Sequence, residues 1–145
     1  HLANYGETKY TENNVEAPFI YKHNGFYYLF VNWDRCCNGV DSDYRILVGR
    51  SRSPTGSYLD KTGKSMFDGG GSLVLESEGR FIGPGHAGIF QDEAGKFCFS
   101  FHYYDGEDNG RAKLALRELV WKDNWPVVTD KYYQLSEFAS GGGSD

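Results

Sequence analysis

Glu16 stands in the run Val15-Glu16-Ala17-Pro18-Phe19, ahead of the aromatic stretch Phe26-Tyr27-Tyr28-Leu29-Phe30. A carboxylate just before a proline, at the mouth of an apolar strand, is expected to be poorly solvated and held in extended backbone. Burial of that kind raises a glutamate pKa, so the group stays protonated near neutral pH and can serve as a general acid. The plain alternative is a solvated surface carboxylate preceding a strand. His86 follows Gly83-Pro84-Gly85, a backbone that holds an imidazole in a defined place, as either a site or a simple turn requires. Cys36 and Cys37 are neighbours, and a bond between them needs a strained ring, so two thiols are expected. No adjacent histidine activates either as a nucleophile.

The elements that must carry these residues read as short strands separated by turns. Phe19–Lys22 ends at His23-Asn24-Gly25, and Phe26–Trp33 returns from it, a hairpin with Asn-Gly at its tip. Tyr44–Ser51 follows, closed by Ser53-Pro54-Thr55-Gly56, with an outer strand expected near Tyr58. Gly69-Gly70-Gly71 enters Ser72–Glu76, and Phe81–Gly85 reads as an irregular loop leading through His86 to a short strand, Ala87–Gln91. Strands are expected over Lys96–Tyr104, Ala112–Leu119 and Trp125–Val128. Cys98 alternates with Phe97, Phe99 and Phe101 and reads as a buried structural thiol. Tyr28, Phe30 and Phe101 read as core, Arg50 as an ion-pair partner, and Asp105–Gly110 as a solvated hairpin tip. No convincing helix is present. Antiparallel strands in two groups, each opening with an aromatic hairpin, predict blades of a β-propeller, although strand spacing serves a β-sandwich equally well.

Composition agrees with an all-β chain. Tyr 11, Phe 10 and Gly 19 stand against a single Met, which favours pleated surfaces and tight turns over helices. At 145 residues one domain with a real core is expected. The net charge of −5 and the lack of a Lys/Arg block argue against nucleic acid. No apolar run approaches a membrane span, and no signal peptide is recognised. The polar opening at His1 reads as an engineered boundary or an internal cut. We expect the domain over 1–138 and a Gly/Ser-rich tail over 139–145.

Together with Val15–Phe19, the segments Trp33-Asp34-Arg35-Cys36-Cys37-Asn38-Gly39-Val40, Val48-Gly49-Arg50-Ser51 and Gly83-Pro84-Gly85-His86 resemble the endo-α-1,5-L-arabinanases of glycoside hydrolase family 43. Trp121-Lys122-Asp123-Asn124-Trp125-Pro126-Val127-Val128 is similar to that family's last-blade signature. The resemblance runs from about Val15 to Val128. It implies a five-bladed propeller with an axial funnel for linear arabinan, and hydrolysis with inversion by a base Asp, a pKa-modulating Asp and an acid Glu. Glu16 matches the acid. His86 matches the histidine near the propeller axis that holds a metal ion, usually calcium, largely through water. Cys36 and Cys37 match a segment bordering the substrate groove, with Asn38 placed to hydrogen-bond sugar hydroxyls. Trp33, at a strand end beside Asp34, is the best candidate for stacking on a sugar face.

Both family aspartates precede the acid, yet the fifteen residues ahead of Glu16 contain no Asp. Five blades of roughly 40–50 residues each need more than about 200 residues, so the chain is expected to hold about half a propeller. Asp34, Asp41 and Asp43 are the substitutes available for a second carboxylate. Two function classes follow. One is an arabinan-cleaving enzyme whose base and modulator come from elsewhere, secreted or held at the cell envelope to meet its polysaccharide. The other is a non-catalytic half-propeller that self-associates, or is complemented by the missing N-terminal half, and binds arabinan or arabino-oligosaccharide weakly.

Overall fold

A computed structural model describes residues 1–5 and 15–135. The tail expected over 139–145, and the last residues of the expected domain, lie outside the described residues. Eight strands form two four-stranded antiparallel sheets, each a simple meander. The first contains β1 (Val15–His23), β2 (Phe26–Trp33), β3 (Arg45–Ser51) and β4 (Ser72–Leu75). The second contains β5 (Phe81–Gln91), β6 (Phe97–Asp105), β7 (Arg111–Lys122) and β8 (Trp125–Tyr132). Among the described residues helical structure is limited to two 3-10 turns, Gly39–Asp41 and Met66–Asp68.

The hairpin between β1 and β2 forms as its sequence demands. Asn24 and Gly25 take φ of 48° and 79°, the left-handed pair whose twist matches the flanking strands. β1 alternates half-buried and exposed residues, the pattern of an edge strand with one covered face. β2 is buried at six consecutive positions because apolar layers lie on both of its faces. One layer joins the two sheets: Tyr28, Phe30, Ile46 and Val48 pack against Phe99, Phe101, Tyr103, Ala115 and Leu119. The other layer sets Leu29, Val31, Trp33 and Leu47 against Tyr5, Tyr58 and Met66. Truncating a fully buried ring such as Phe30 or Phe99 to alanine costs about 3–5 kcal/mol. Cys98 is buried, as expected, and burial pushes its thiol pKa up.

Several expectations are corrected. The fourth strand of the first sheet is β4, not a strand near Tyr58. Leu59 makes only single bridges, to Arg50 and Ser65, and the loop around it delivers the buried Tyr58 and Met66 as a cover. Phe81–Gly85 is no loop but the start of β5, whose register shifts between Ile82 and Gly85 and again between Gly85 and Gly88. Bulges let the strand absorb its glycines without leaving the sheet. Arg50 forms no ion pair among the described residues; it lies between the rings of Phe26 and Trp125 and donates to the Asn124 carbonyl at 2.7 Å. The turn after β6 is anchored rather than merely solvated. Asp105 is fully buried and accepts from Arg80 and from Lys113 (2.7 Å), so its pKa lies far below the usual carboxylate range.

Candidate functional site

Glu16 sits near the start of β1, paired in register with Asn32 of β2. The register slips between Glu16 and Phe19, and Ala17 takes a left-handed φ of 51°. Glu16 itself lies in extended strand backbone, as expected, and the left-handed residue is Ala17, directly before Pro18. A non-glycine residue held there costs on the order of 1 kcal/mol or more, the kind of local strain found at functional positions. Glu16 is exposed in this chain, where a poorly solvated group was expected.

The Glu16 carboxylate neighbours the phenol of Tyr44, a fully buried residue preceding β3. Burial first, and then this carboxylate neighbour, push the Tyr44 pKa up, so the phenol keeps its proton. The Tyr44 ring lies against the backbone of Gly85. A side chain at Gly85 would run into Tyr44 and would stand 2.9 Å from the His102 ring. Glycine is therefore required there for close approach, not for its dihedral freedom.

Asn32 ties the two sheets together beneath this point. Its amide donates to the carbonyls of Arg45 (3.0 Å) and Pro84 (3.1 Å), and its Oδ1 accepts from the His86 N–H (2.9 Å). His86 takes a left-handed φ of 55° and presents an exposed ring 5.2 Å from that of His102. Burial, and secondarily His86, depress the His102 pKa, which favours its neutral imidazole. His102 in turn lies 6.1 Å from Tyr44 and 5.6 Å from Tyr104, measured between ring centres.

Tyr104 leads to the cysteine pair, accepting at its hydroxyl from the Cys37 N–H at 2.8 Å. Cys36 and Cys37 are joined in a disulfide, which overturns the two thiols expected from their adjacency. Asn38 is exposed, and its backbone N–H donates to Ser42 Oγ at 3.0 Å, ahead of the Gly39–Asp41 turn. A chain of contacts thus joins Glu16, Tyr44, His102, His86, Tyr104 and the Cys36–Cys37–Asn38 segment.

Trp33 is not brought to this rim. Its ring is 5% exposed and packed in the outer layer, 5.0 Å from Tyr5 and with Arg45 5.3 Å from its centre. Of the substitute carboxylates, Asp34 is buried against Arg45 (2.7 Å) and Tyr5, and Asp43 accepts from the Arg35 N–H at 2.9 Å. Asp41 is exposed. No group of three or more His, Cys, Asp or Glu side chains able to hold a metal exists among the described residues. Calcium needs six to eight oxygens. Imidazoles at His86 and His102 do not fit it as a protein-held site.

Tyr44, Asn32 and His102 were missed by sequence reasoning. Asn32 carries a signal, being polar between Val31 and Trp33 in an apolar strand, where a buried amide must find partners. Tyr44 is one tyrosine among 11 and carries none.

The model for glycosyl hydrolases family 43 matches residues 3–126. The chain belongs to glycosyl hydrolase family 43. Within that family it is 46% identical over 112 residues to the extracellular endo-α-(1→5)-L-arabinanase 1 of Bacillus subtilis, covering 77% of this chain and 33% of that protein. It is 43% identical over 118 residues to the extracellular exo-α-(1→5)-L-arabinofuranosidase ArbA of Cellvibrio japonicus, covering 81% of this chain and 34% of that one. The solved α-L-arabinanase of Cellvibrio cellulosa in complex with arabinohexaose superposes with a TM-score of 0.81 at 38% identity, over 89% of this chain and 43% of the other. The two sheets are accordingly two blades of the five-bladed family 43 propeller, and the chain spans well under half the length of these relatives.

Proposed function

We propose that this chain is part of an arabinan-hydrolysing enzyme and supplies the general acid, Glu16, to an inverting cleavage of α-1,5-linked arabinan. The observation that carries this reading is the exposed Glu16 carboxylate, next to the buried Tyr44 phenol on the same rim as His86 and the Cys36–Cys37 turn. In an inverting reaction the acid protonates the leaving oxygen while a second carboxylate, about 6.5–9.5 Å away, activates water on the opposite face of the sugar. That base and a pKa-modulating aspartate would come from the part of the protein outside this chain. Cys36, Cys37 and Asn38 would border the groove, with the disulfide as a rigid wall and the Asn38 amide as a donor to hydroxyls.

A calcium ion near His86 belongs to the same proposal only on the strength of the family resemblance. Water would have to supply its oxygens, and no step is derived through it. Secretion is proposed because two relatives are named extracellular. One of these is named for endo and the other for exo action, so the cleavage mode does not follow from likeness.

A second reading, a non-catalytic pair of blades that self-associates, is favoured by one observation. Leu114, Phe90 and Ile20 are 70%, 45% and 42% exposed on the two outward sheet faces. Debranched arabinan incubated with the 145-residue chain, beside Glu16→Gln, separates the readings. Hydrolysis abolished in the variant supports Glu16 as the acid of a site completed by association. Hydrolysis at the same rate in both proteins sinks Glu16 as the acid. No turnover by either supports the non-catalytic pair for the isolated chain.

A further inference from the structure

At the opposite end of the first sheet the described residues form a second, unassigned recess. Phe26 opens β2, and Glu16 pairs with Asn32 six residues further on, so the two ends are about 20 Å apart at about 3.3 Å per residue. Phe26, Arg50, Arg52, Asp60, Lys61 and Trp125 contribute to the lining of an open cavity of about 380 Å³. Both of its walls, the β2–β3 end of one blade and the start of β8 in the next, are present in this chain.

Inside it cations and aromatic rings are interleaved. The Arg52 guanidinium lies 3.8 Å from the Phe26 centroid, and Arg50 lies 4.3 Å from Phe26 and 4.2 Å from Trp125. The Lys61 ammonium lies 5.8 Å from Trp125. None of the three cations is ion-paired to a carboxylate among the described residues, although the chain as a whole carries −5. Asp60, the acid at the wall, is already engaged by Thr62, Lys64 and the Gly71 N–H. Arg50 is spent in the wall, donating to the Asn124 carbonyl, while Arg52 and Lys61 are exposed at the rim.

We propose that this recess binds an acidic oligosaccharide, a short chain of uronate sugars, separately from the Glu16 site. Each component of such a ligand has a partner here. Ring carboxylates meet the exposed Arg52 and Lys61, where guanidinium and ammonium give charge-assisted hydrogen bonds. The apolar faces of the sugar rings meet the half-buried surface of Phe26 and Trp125 that remains open beside the stacked guanidiniums. A bare anion would use the cations and leave the aromatic surface wet, and a neutral sugar would leave two cations unpaired. The volume lies within the range of small-ligand sites.

The test is a titration of the 145-residue chain with trigalacturonate, arabinotriose and inorganic phosphate, followed by calorimetry and by the indole N–H signals of its three tryptophans. The proposal expects saturable trigalacturonate binding that shifts Trp125 and leaves Trp33 in place, weakens as salt is raised, and falls at least tenfold in Arg52→Ala/Lys61→Ala. Phosphate that binds as tightly as trigalacturonate, arabinotriose that displaces it, or a shift pattern that omits Trp125 would each overturn it. Should the double variant unfold, the shifts mapped on the wild-type chain still decide between these outcomes. Hydrolysis at Glu16 is read by arabinan turnover, so either assignment can fail without the other.

Discussion

Replacing Glu16 by glutamine keeps the shape of the side chain beside the Tyr44 phenol, but removes the transferable proton. In the full-length enzyme that carries this chain, we expect arabinan turnover to fall about 10²–10⁴-fold. The urea midpoint should barely move, because the residue is exposed. Initial rates and an unfolding curve on the same preparation check both halves. Asn32→Ala should behave in the opposite sense. It strands the Pro84 carbonyl in a buried place and the His86 N–H and Arg45 carbonyl in half-buried ones. Unfolding free energy should drop by at least about 2 kcal/mol, since each orphaned buried group costs about 1–3 kcal/mol. A variant as stable as wild type would show that water replaces the amide.

Among the elements, β5 decides how the two blades meet at the site. Its bulges bring Gly85 under Tyr44 and His102. Gly85→Ala should push the Tyr44 ring away from Glu16 and destabilise the chain, with a changed tyrosine near-UV signal as the readout. The turn between β6 and β7 makes a separate, pH-dependent contribution. Arg80, and then Lys113, hold the Asp105 carboxyl charged, so its folded pKa lies below the unfolded value of about 3.9. The unfolded chain therefore takes up this proton first as the pH falls. Stabilisation from Asp105 is complete above that value and is lost as the pH drops through the folded pKa. The gap in urea midpoint between wild type and Asp105→Asn should narrow from about pH 6 to about pH 2.5. A constant gap would mean that the asparagine acts through packing alone.

At the scale of the molecule, the chain holds two blades of five and presents apolar rows on both outward faces. Leu114, Leu116, Val120 and Phe90 line one, and Ile20 and Leu73 belong to the other. Patches of this sort on a soluble chain favour association. The isolated chain should sediment as more than a monomer at tens of micromolar, and Leu114→Lys with Ile20→Lys should return it toward one. A wild-type chain that stays monomeric and binds no hydrophobic dye would show the exposed rows to be tolerated singly.

Residue order alone was enough for whatever depends on neighbours in the chain. The Asn24-Gly25 hairpin, the period-2 aromatic strands, the buried Cys98 and the two-group blade pattern are all local consequences of turn chemistry and alternation. So was the family, because segments such as Val15–Phe19 and Gly83–His86 resemble it and its model matches residues 3–126. Tertiary structure decided what depends on partners distant in the chain. The exposure of Glu16 was not legible in its own segment because it depends on which distant parts of the fold pack over the start of β1. Trp33 could not be told from a surface platform until Tyr5 and Arg45 were seen against it. Asp105 looked solvated because its partners lie elsewhere, Arg80 in the turn before β5 and Lys113 on β7. Burial, hydrogen bonding and charge pairing are properties of the surroundings that folding assembles, and no window of sequence contains them.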